Sequence, residues 1–127
     1  MPLPSETSMA DGPVVDSQAL DRLREWGGDK LLAQMIRLFL DNSGNRMDQI
    51  RSGVENSDPE EAERGSHSLK SSAANVGVMA VRAIAAEMEG LATKGDIDSV
   101  RSMLPGLETA YAEARAALET LLEGLPE

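Results

Sequence analysis

The stretch DPEEAERGSHSLKSSAANVG, residues 58–77, decides the fold. It opens with Asp58 as an N-cap and Pro59 at the first helical position. Glu60 and Glu61 follow, with charge that suits the positive end of a helix. The helix should run to about Val76 and end at Gly77, a C-terminal cap residue. On a wheel turning about 100° per residue with Leu69 at zero, Ala62, Gly65, Leu69, Ala73 and Val76 all fall within roughly 40° of one direction. They form a buried stripe whose small side chains allow close approach to neighbouring helices. His67 lies about 160° from that direction and so faces water.

Working outward, Asp16 to Trp26 reads as a short amphipathic segment, with Asp16 or Ser17 as N-cap and Leu20 and Leu23 inward. Gly27-Gly28 breaks it, and Asp29 is available to cap the next helix. Lys30 to Val54 is a long helical pattern in which Leu32, Met35, Ile36, Phe39, Met47, Ile50 and Val54 recur at three- and four-residue steps. Asn42-Ser43-Gly44-Asn45 predicts a weak point or kink in its middle. Downstream, a helix runs from Met79 or Ala80 to about Lys94, with Val81, Ile84, Met88 and Leu91 inward and Gly95 stopping it. Asp96 caps the last, from Ile97 to about Leu122, whose inward set is Leu104, Leu107, Tyr111, Ala114, Leu118 and Leu121. Pro105-Gly106 predicts a kink or a division of that helix. The fold class expected is all-α: an antiparallel up-down four-helix bundle with a short extra N-terminal helix as a lid, and His67 on the exposed face of the third helix.

Composition sharpens this. A chain of 127 residues is one domain. Residues 1–13, with Pro2, Pro4, Gly12 and Pro13, read as a disordered leader, and 14–127 as the bundle. Twelve Lys+Arg against 22 Asp+Glu give a net charge of −10, which argues against nucleic acid or an anionic membrane as partner. Trp26, Phe39 and Tyr111 are the only aromatic residues, so the core is aliphatic, with methionines as filler. The absence of cysteine excludes disulfides and thiolate chemistry, and a single histidine excludes His-rich metal clusters. No apolar run approaches the ~20 residues of a membrane span, and the N-terminus has no secretory signal pattern. A soluble, cytoplasmic helical domain without a metal site is the expectation.

Any imidazole chemistry is therefore confined to residue 67. On the same outer face lie Lys70, Ser71 and Ala74, and on the preceding turns Glu60, Glu63 and Arg64. A neutral ring nitrogen is a competent nucleophile toward phosphorus. A cation one turn on would meet phosphoryl oxygens as a flexible point charge, and small Ser71 and Ala74 leave the surface open to another protein. From position alone, however, a lone exposed histidine on a helix is usually only a solvated side chain. Glu60, Glu61 and Glu63 suit helix-start electrostatics better than catalysis.

The run His67-Ser68-Leu69-Lys70-Ser71-Ser72-Ala73-Ala74-Asn75-Val76-Gly77 resembles the signature of histidine-containing phosphotransfer (HPt) domains, roughly H-x-L-K-(G/S)-(S/A)-(A/S)-x-x-hydrophobic-G. All the fixed positions are met. The likeness extends from about Val15 to the C-terminus, through the Asp-rich opening, Leu38-Phe39-Leu40, the Met88-Glu89 pair and the Gly95-Asp96 turn. The resemblance implies a phosphorelay intermediate. In that family, histidine Nε2 accepts a phosphoryl group from a receiver-domain aspartyl phosphate, or from a kinase histidine relay, and passes it to an aspartate of another receiver. Such a protein has no ATP-dependent kinase or hydrolase activity of its own and needs no cofactor, the Mg²⁺ of the transfer belonging to the receiver.

Carried over by residue, the resemblance makes His67 the phosphoacceptor and Lys70 the phosphate-facing cation. Ser71, where Gly is frequent, is the small residue that permits docking, and Gly77 is structural. Glu89 stands where a Gln or Glu often orients the imidazole, and a carboxylate accepting from Nδ1–H would leave Nε2 free. Glu63, Arg64 and Ala74 make the expected docking set. Ser66 replaces a common Ala and sits about 60° from the core direction. The partners implied are receiver (response regulator) domains and a hybrid sensor histidine kinase, with the chain acting as a monomer. Two other classes compete. A catalytically silent helical adaptor would predict a replaced histidine or a lost basic partner, and both residues are kept. The phosphoacceptor part of a sensor kinase would need an ATP-binding segment, and no P-loop-like run is found.

Overall fold

Gly28 sets the course of the first helix. In the computed structural model, which describes residues 14–126, helix α1 spans Ser17–Glu55 and carries Gly28 at φ 69° and ψ −167°. That positive φ is open to glycine at little steric cost. The break expected at Gly27-Gly28 is present, as a kink within one long run. The segment before it buries Ala19, Leu20 and Leu23. Its start is fixed by the Asp16 carboxylate, which accepts from the Gln18 N–H at 3.0 Å, and by the Asp16 N–H, which donates to the Gly77 carbonyl at 2.8 Å. Asp29 differs from expectation: its carboxylate accepts from Arg24 Nε at 3.2 Å rather than capping the next segment. The expected leader, residues 1–13, lies outside the described residues.

Helix α2 spans Pro59–Val76, α3 Met79–Thr93 and α4 Ile97–Glu123. Asp58 caps α2 by accepting from the Glu61 N–H, Gly77 ends it in the left-handed conformation at φ 75°, and Asp96 caps α4 by accepting from the Ser99 N–H. With the two segments of α1 joined, the expected third helix is α2. Short connections turn each helix back on its predecessor. α1 packs on α2, α2 on α3, α3 on α4, and α4 returns against α1, closing a four-helix bundle. None of the described helices is long and apolar enough to cross a membrane. Leu32, Ile36, Met47, Ile50, Leu69, Met88, Leu107 and Leu118 fill the centre. The α1–α2 seam is the tightest: a Cβ on Gly53 would lie 2.6 Å from the Ala62 backbone nitrogen.

Two expected breaks are absent. α1 runs straight on through Asn42–Asn45, because Ser43 faces the core and has a partner there. Its hydroxyl lies 2.8 Å from the Tyr111 hydroxyl, while Asn42 turns back to the Leu38 carbonyl at 3.0 Å. Ser43 is satisfied across the bundle and Asn42 within its own helix, so the backbone has no reason to open. Likewise α4 continues as one helix through Pro105. Pro105 and Arg101 are exposed, so the Arg101 carbonyl that loses its usual donor is on the solvent side, where water can serve it. Leu104 and Leu121, expected inward, are only partly buried, and Val100 and Ala110 join the core instead.

Candidate functional site

The stripe predicted for α2 is the buried one: Ala62, Gly65, Leu69, Ala73 and Val76 are all inside. Ser66 is buried with them, and its hydroxyl donates to the Ala62 carbonyl at 2.7 Å, so the polar atom is satisfied. This packing turns the opposite face of α2 outward. The His67 side chain is 58% exposed there.

The neighbouring helix supplies the partner of the ring. Met88 anchors α3 in the core, and the next residue, Glu89, emerges at the seam between α3 and α2 with its side chain 19% exposed. Glu89 Oε2 lies 2.7 Å from His67 Nδ1, and Glu89 Oε1 lies 2.6 Å from Lys70 Nζ. One carboxylate thus holds both residues of the motif. Its pKa is lowered below the ordinary glutamate value, chiefly by the hydrogen bond from Lys70, against burial, with a further contribution from His67. An ionised carboxylate can only accept, so Nδ1 carries the proton and donates. Nε2 has no hydrogen-bond partner among the described residues, and in the neutral ring it is the nitrogen that keeps the lone pair.

Lys70 differs from the solvent-facing cation expected. Its side chain is 32% exposed and its ammonium group is engaged by Glu89. The wheel of α2 gives the angle between Lys70 and His67 but not the side on which α3 packs, so the ion pair was invisible in the sequence. Glu63, one turn before His67, is half-buried, and its carboxylate has neither ion pair nor hydrogen bond among the described residues. Arg64 and Ser71 are exposed and Ala74 is half-buried. Glu60 is exposed, and Glu61 accepts from Ser52 Oγ at 3.1 Å, a contact that braces the start of α2.

An apolar surface that the sequence reading did not single out adjoins this face. Trp26, 72% exposed, lines a groove with Leu31 and Met35 of α1 and Ala74 and Asn75 of α2. Leu38, 54% exposed, lines a second beside Ser72 and Asn75. The available signal was a large aromatic residue set directly before the Gly27-Gly28 break, where it cannot reach the core.

The Hpt domain family matches residues 34–123. The chain belongs to the Hpt domain family. As an Hpt domain it is a phosphorelay intermediate of two-component signalling, with receiver domains as its partners. Solved structures share the fold. Histidine-containing phosphotransfer protein B of Pseudomonas aeruginosa PAO1 is 19% identical, with a TM-score of 0.83 over 91% of this chain and 99% of that one. The HPT domain of a sensor hybrid histidine kinase from Shewanella is 14% identical, with a TM-score of 0.78 over 90% and 97%. The maize histidine-containing phosphotransfer protein ZmHP2 is 24% identical, with a TM-score of 0.77 over 91% and 86%. No curated protein sequence matches this Hpt domain.

Proposed function

We propose that His67 is the phosphoacceptor and that Nε2 is the atom that takes the phosphoryl group. The observation that carries this reading is the 2.7 Å contact of Nδ1 with an ionised Glu89, which commits one nitrogen and leaves the other free on an exposed face. Nε2 attacks the phosphorus of a receiver's aspartyl phosphate, the P–O bond to that aspartate breaks, and the aspartate leaves as a carboxylate. The ring keeps its Nδ1 proton and becomes positively charged, and the Glu89 carboxylate offsets that charge. In the onward step, the aspartate of a second receiver attacks the phosphorus. The N–P bond then breaks and His67 leaves as a neutral imidazole.

Lys70 is the phosphate-facing cation in this proposal, held in place by Glu89 until phosphoryl oxygens offer a further acceptor. Ser71 and Ala74 keep the approach to the ring open, with Glu63 and Arg64 as charged contacts at its edge. The adjoining Trp26 and Leu38 grooves suit an apolar patch on the receiver. The relay needs no resident cofactor, and its Mg²⁺ sits on the receiver. The chain acts as a cytoplasmic monomer, fed by a hybrid sensor histidine kinase, a source in keeping with the Shewanella relative's being part of one. The test is incubation with a panel of phosphorylated receivers. Label should move onto the wild-type protein and not onto His67→Gln, and label retained by that variant would overturn the assignment.

A further inference from the structure

We propose that Glu63, His67 and Glu89 form a binding site for a transition-metal dication of the zinc class, and that occupation of this site silences the phosphoacceptor. The three residues offer one ligand atom each, and these atoms lie within 4.8 Å of one another. Glu63 and His67 are one turn apart on α2, so they share a face, and Glu89 reaches in from α3. A single imidazole with two carboxylates is a different donor set from the His-rich cluster that the composition excludes.

The geometry needs little adjustment. Donor atoms about 2.0–2.2 Å from a shared tetrahedral ion stand roughly 3.4 Å apart. His67 Nδ1 and Glu89 Oε2 already lie at 2.7 Å and have only to spread. The Glu63 donor lies within 4.8 Å of the other two, and its carboxylate has no ion pair or hydrogen bond among the described residues to give up. Lys70 holds the other Glu89 oxygen at 2.6 Å, orienting the carboxylate as an outer partner of a metal ligand would. Two carboxylates against the one ammonium of Lys70 leave an excess of acidic groups at the site, favourable to a dication. Mixed imidazole and carboxylate donors suit zinc, nickel or copper, whereas Mg²⁺ prefers an all-oxygen octahedron.

Binding through Nδ1 shifts the ring proton to Nε2, where it occupies the lone pair that would attack phosphorus, and takes the Glu89 charge for coordination. A phosphoryl group arriving at Nε2 then meets a protonated nitrogen with no lone pair, in a ring whose counter-charge is already used. Metal and phosphoryl group therefore exclude one another, and each weakens the other reciprocally. This consequence rests on the proposed role of His67. Metal binding itself does not.

The test is calorimetric titration of the full chain with zinc chloride, with no receiver present, followed in parallel by the ¹⁵N signals of the one imidazole. We expect saturation at one equivalent with movement of the ring signals. Affinity should fall by at least about tenfold in Glu63→Gln and in Glu89→Gln, and should be unchanged in Glu25→Gln, a control for exposed acids. Circular dichroism of each variant separates a lost ligand from a lost fold. Absence of saturable binding, or one-to-one binding indifferent to both substitutions, overturns the site. Zinc binding without phosphate acceptance fells the relay assignment and the silencing with it but leaves the metal site standing, and phosphate acceptance without zinc binding fells this proposal alone.

Discussion

Glu89 is the residue on which the chemistry of the site turns, because one carboxylate serves two neighbours. Its role was legible only in part. The resemblance placed it beside the ring, and the structure adds that Lys70 is its other partner, at 2.6 Å. In Glu89→Ala, Nδ1 loses its acceptor. The imidazole should change from one fixed tautomer to a mixture, and transfer should slow modestly because nucleophile and docking surface remain. Long-range ¹H–¹⁵N spectra read the tautomer directly. An identical pattern in both proteins would leave Glu89 without a part. Lys70→Ala removes a cation that the structure ties to Glu89 rather than to water. Loss of one charge-assisted phosphate contact, on the order of 1.5–3 kcal/mol, would slow transfer by roughly ten- to a hundredfold. The cost to stability should stay near that of a partly exposed ion pair, at most about 1 kcal/mol. Transfer kinetics beside a melting curve separate the two effects.

At the scale of elements, caps were the most legible feature of the sequence and interruptions the least. Asp58, Pro59, Gly77 and Asp96 act locally, through hydrogen bonds within a turn, so a one-dimensional reading finds them. The Asn42–Asn45 run and Pro105 were misread for the opposite reason. Whether a polar run opens a helix depends on a distant partner, here Tyr111 beside Ser43, and whether proline matters depends on which face meets solvent. The close seam between α1 and α2 gives a matched pair of predictions. Gly53→Ala would drive its Cβ to within 2.6 Å of the Ala62 nitrogen and should cost about 1–3 kcal/mol. Gly90→Ala meets nothing within 4 Å in the interior of α3 and should stabilise by about 0.5–1 kcal/mol. Denaturant unfolding of both variants gives the two signs. A neutral Gly53→Ala would mean that the seam has room to spare.

For the molecule as a whole, the bundle's order was readable because apolar spacing and short connections admit few arrangements, whereas the ties that close α4 onto α1 were not. Arg51 reaches from α1 to Glu108 of α4 with two hydrogen bonds, at 2.7 and 2.6 Å, and the pairing lowers the Glu108 pKa below the ordinary carboxylate value. A lowered folded-state value means that the stabilisation is fully present above the unfolded glutamate pKa, about 4.3, and is lost as pH falls through the folded one. Glu108→Gln should therefore cost on the order of 0.5–1 kcal/mol near neutrality, after solvent screening, with the difference from wild type vanishing in acid. Unfolding free energies across that range check it, and a pH-independent difference would contradict it. Legibility of function followed the same division: the motif around His67 lies on one helix and could be read from its residues, while the partner of Nδ1 comes from another helix and was named through the family resemblance alone. The most direct measurement of the central claim is ³¹P–¹⁵N NMR of the protein after phosphorylation by a receiver. The account predicts one acid-labile, base-stable phosphoramidate, with phosphorus on Nε2 of His67 and the proton retained on Nδ1. Phosphorus on Nδ1, or on any other residue, would contradict it.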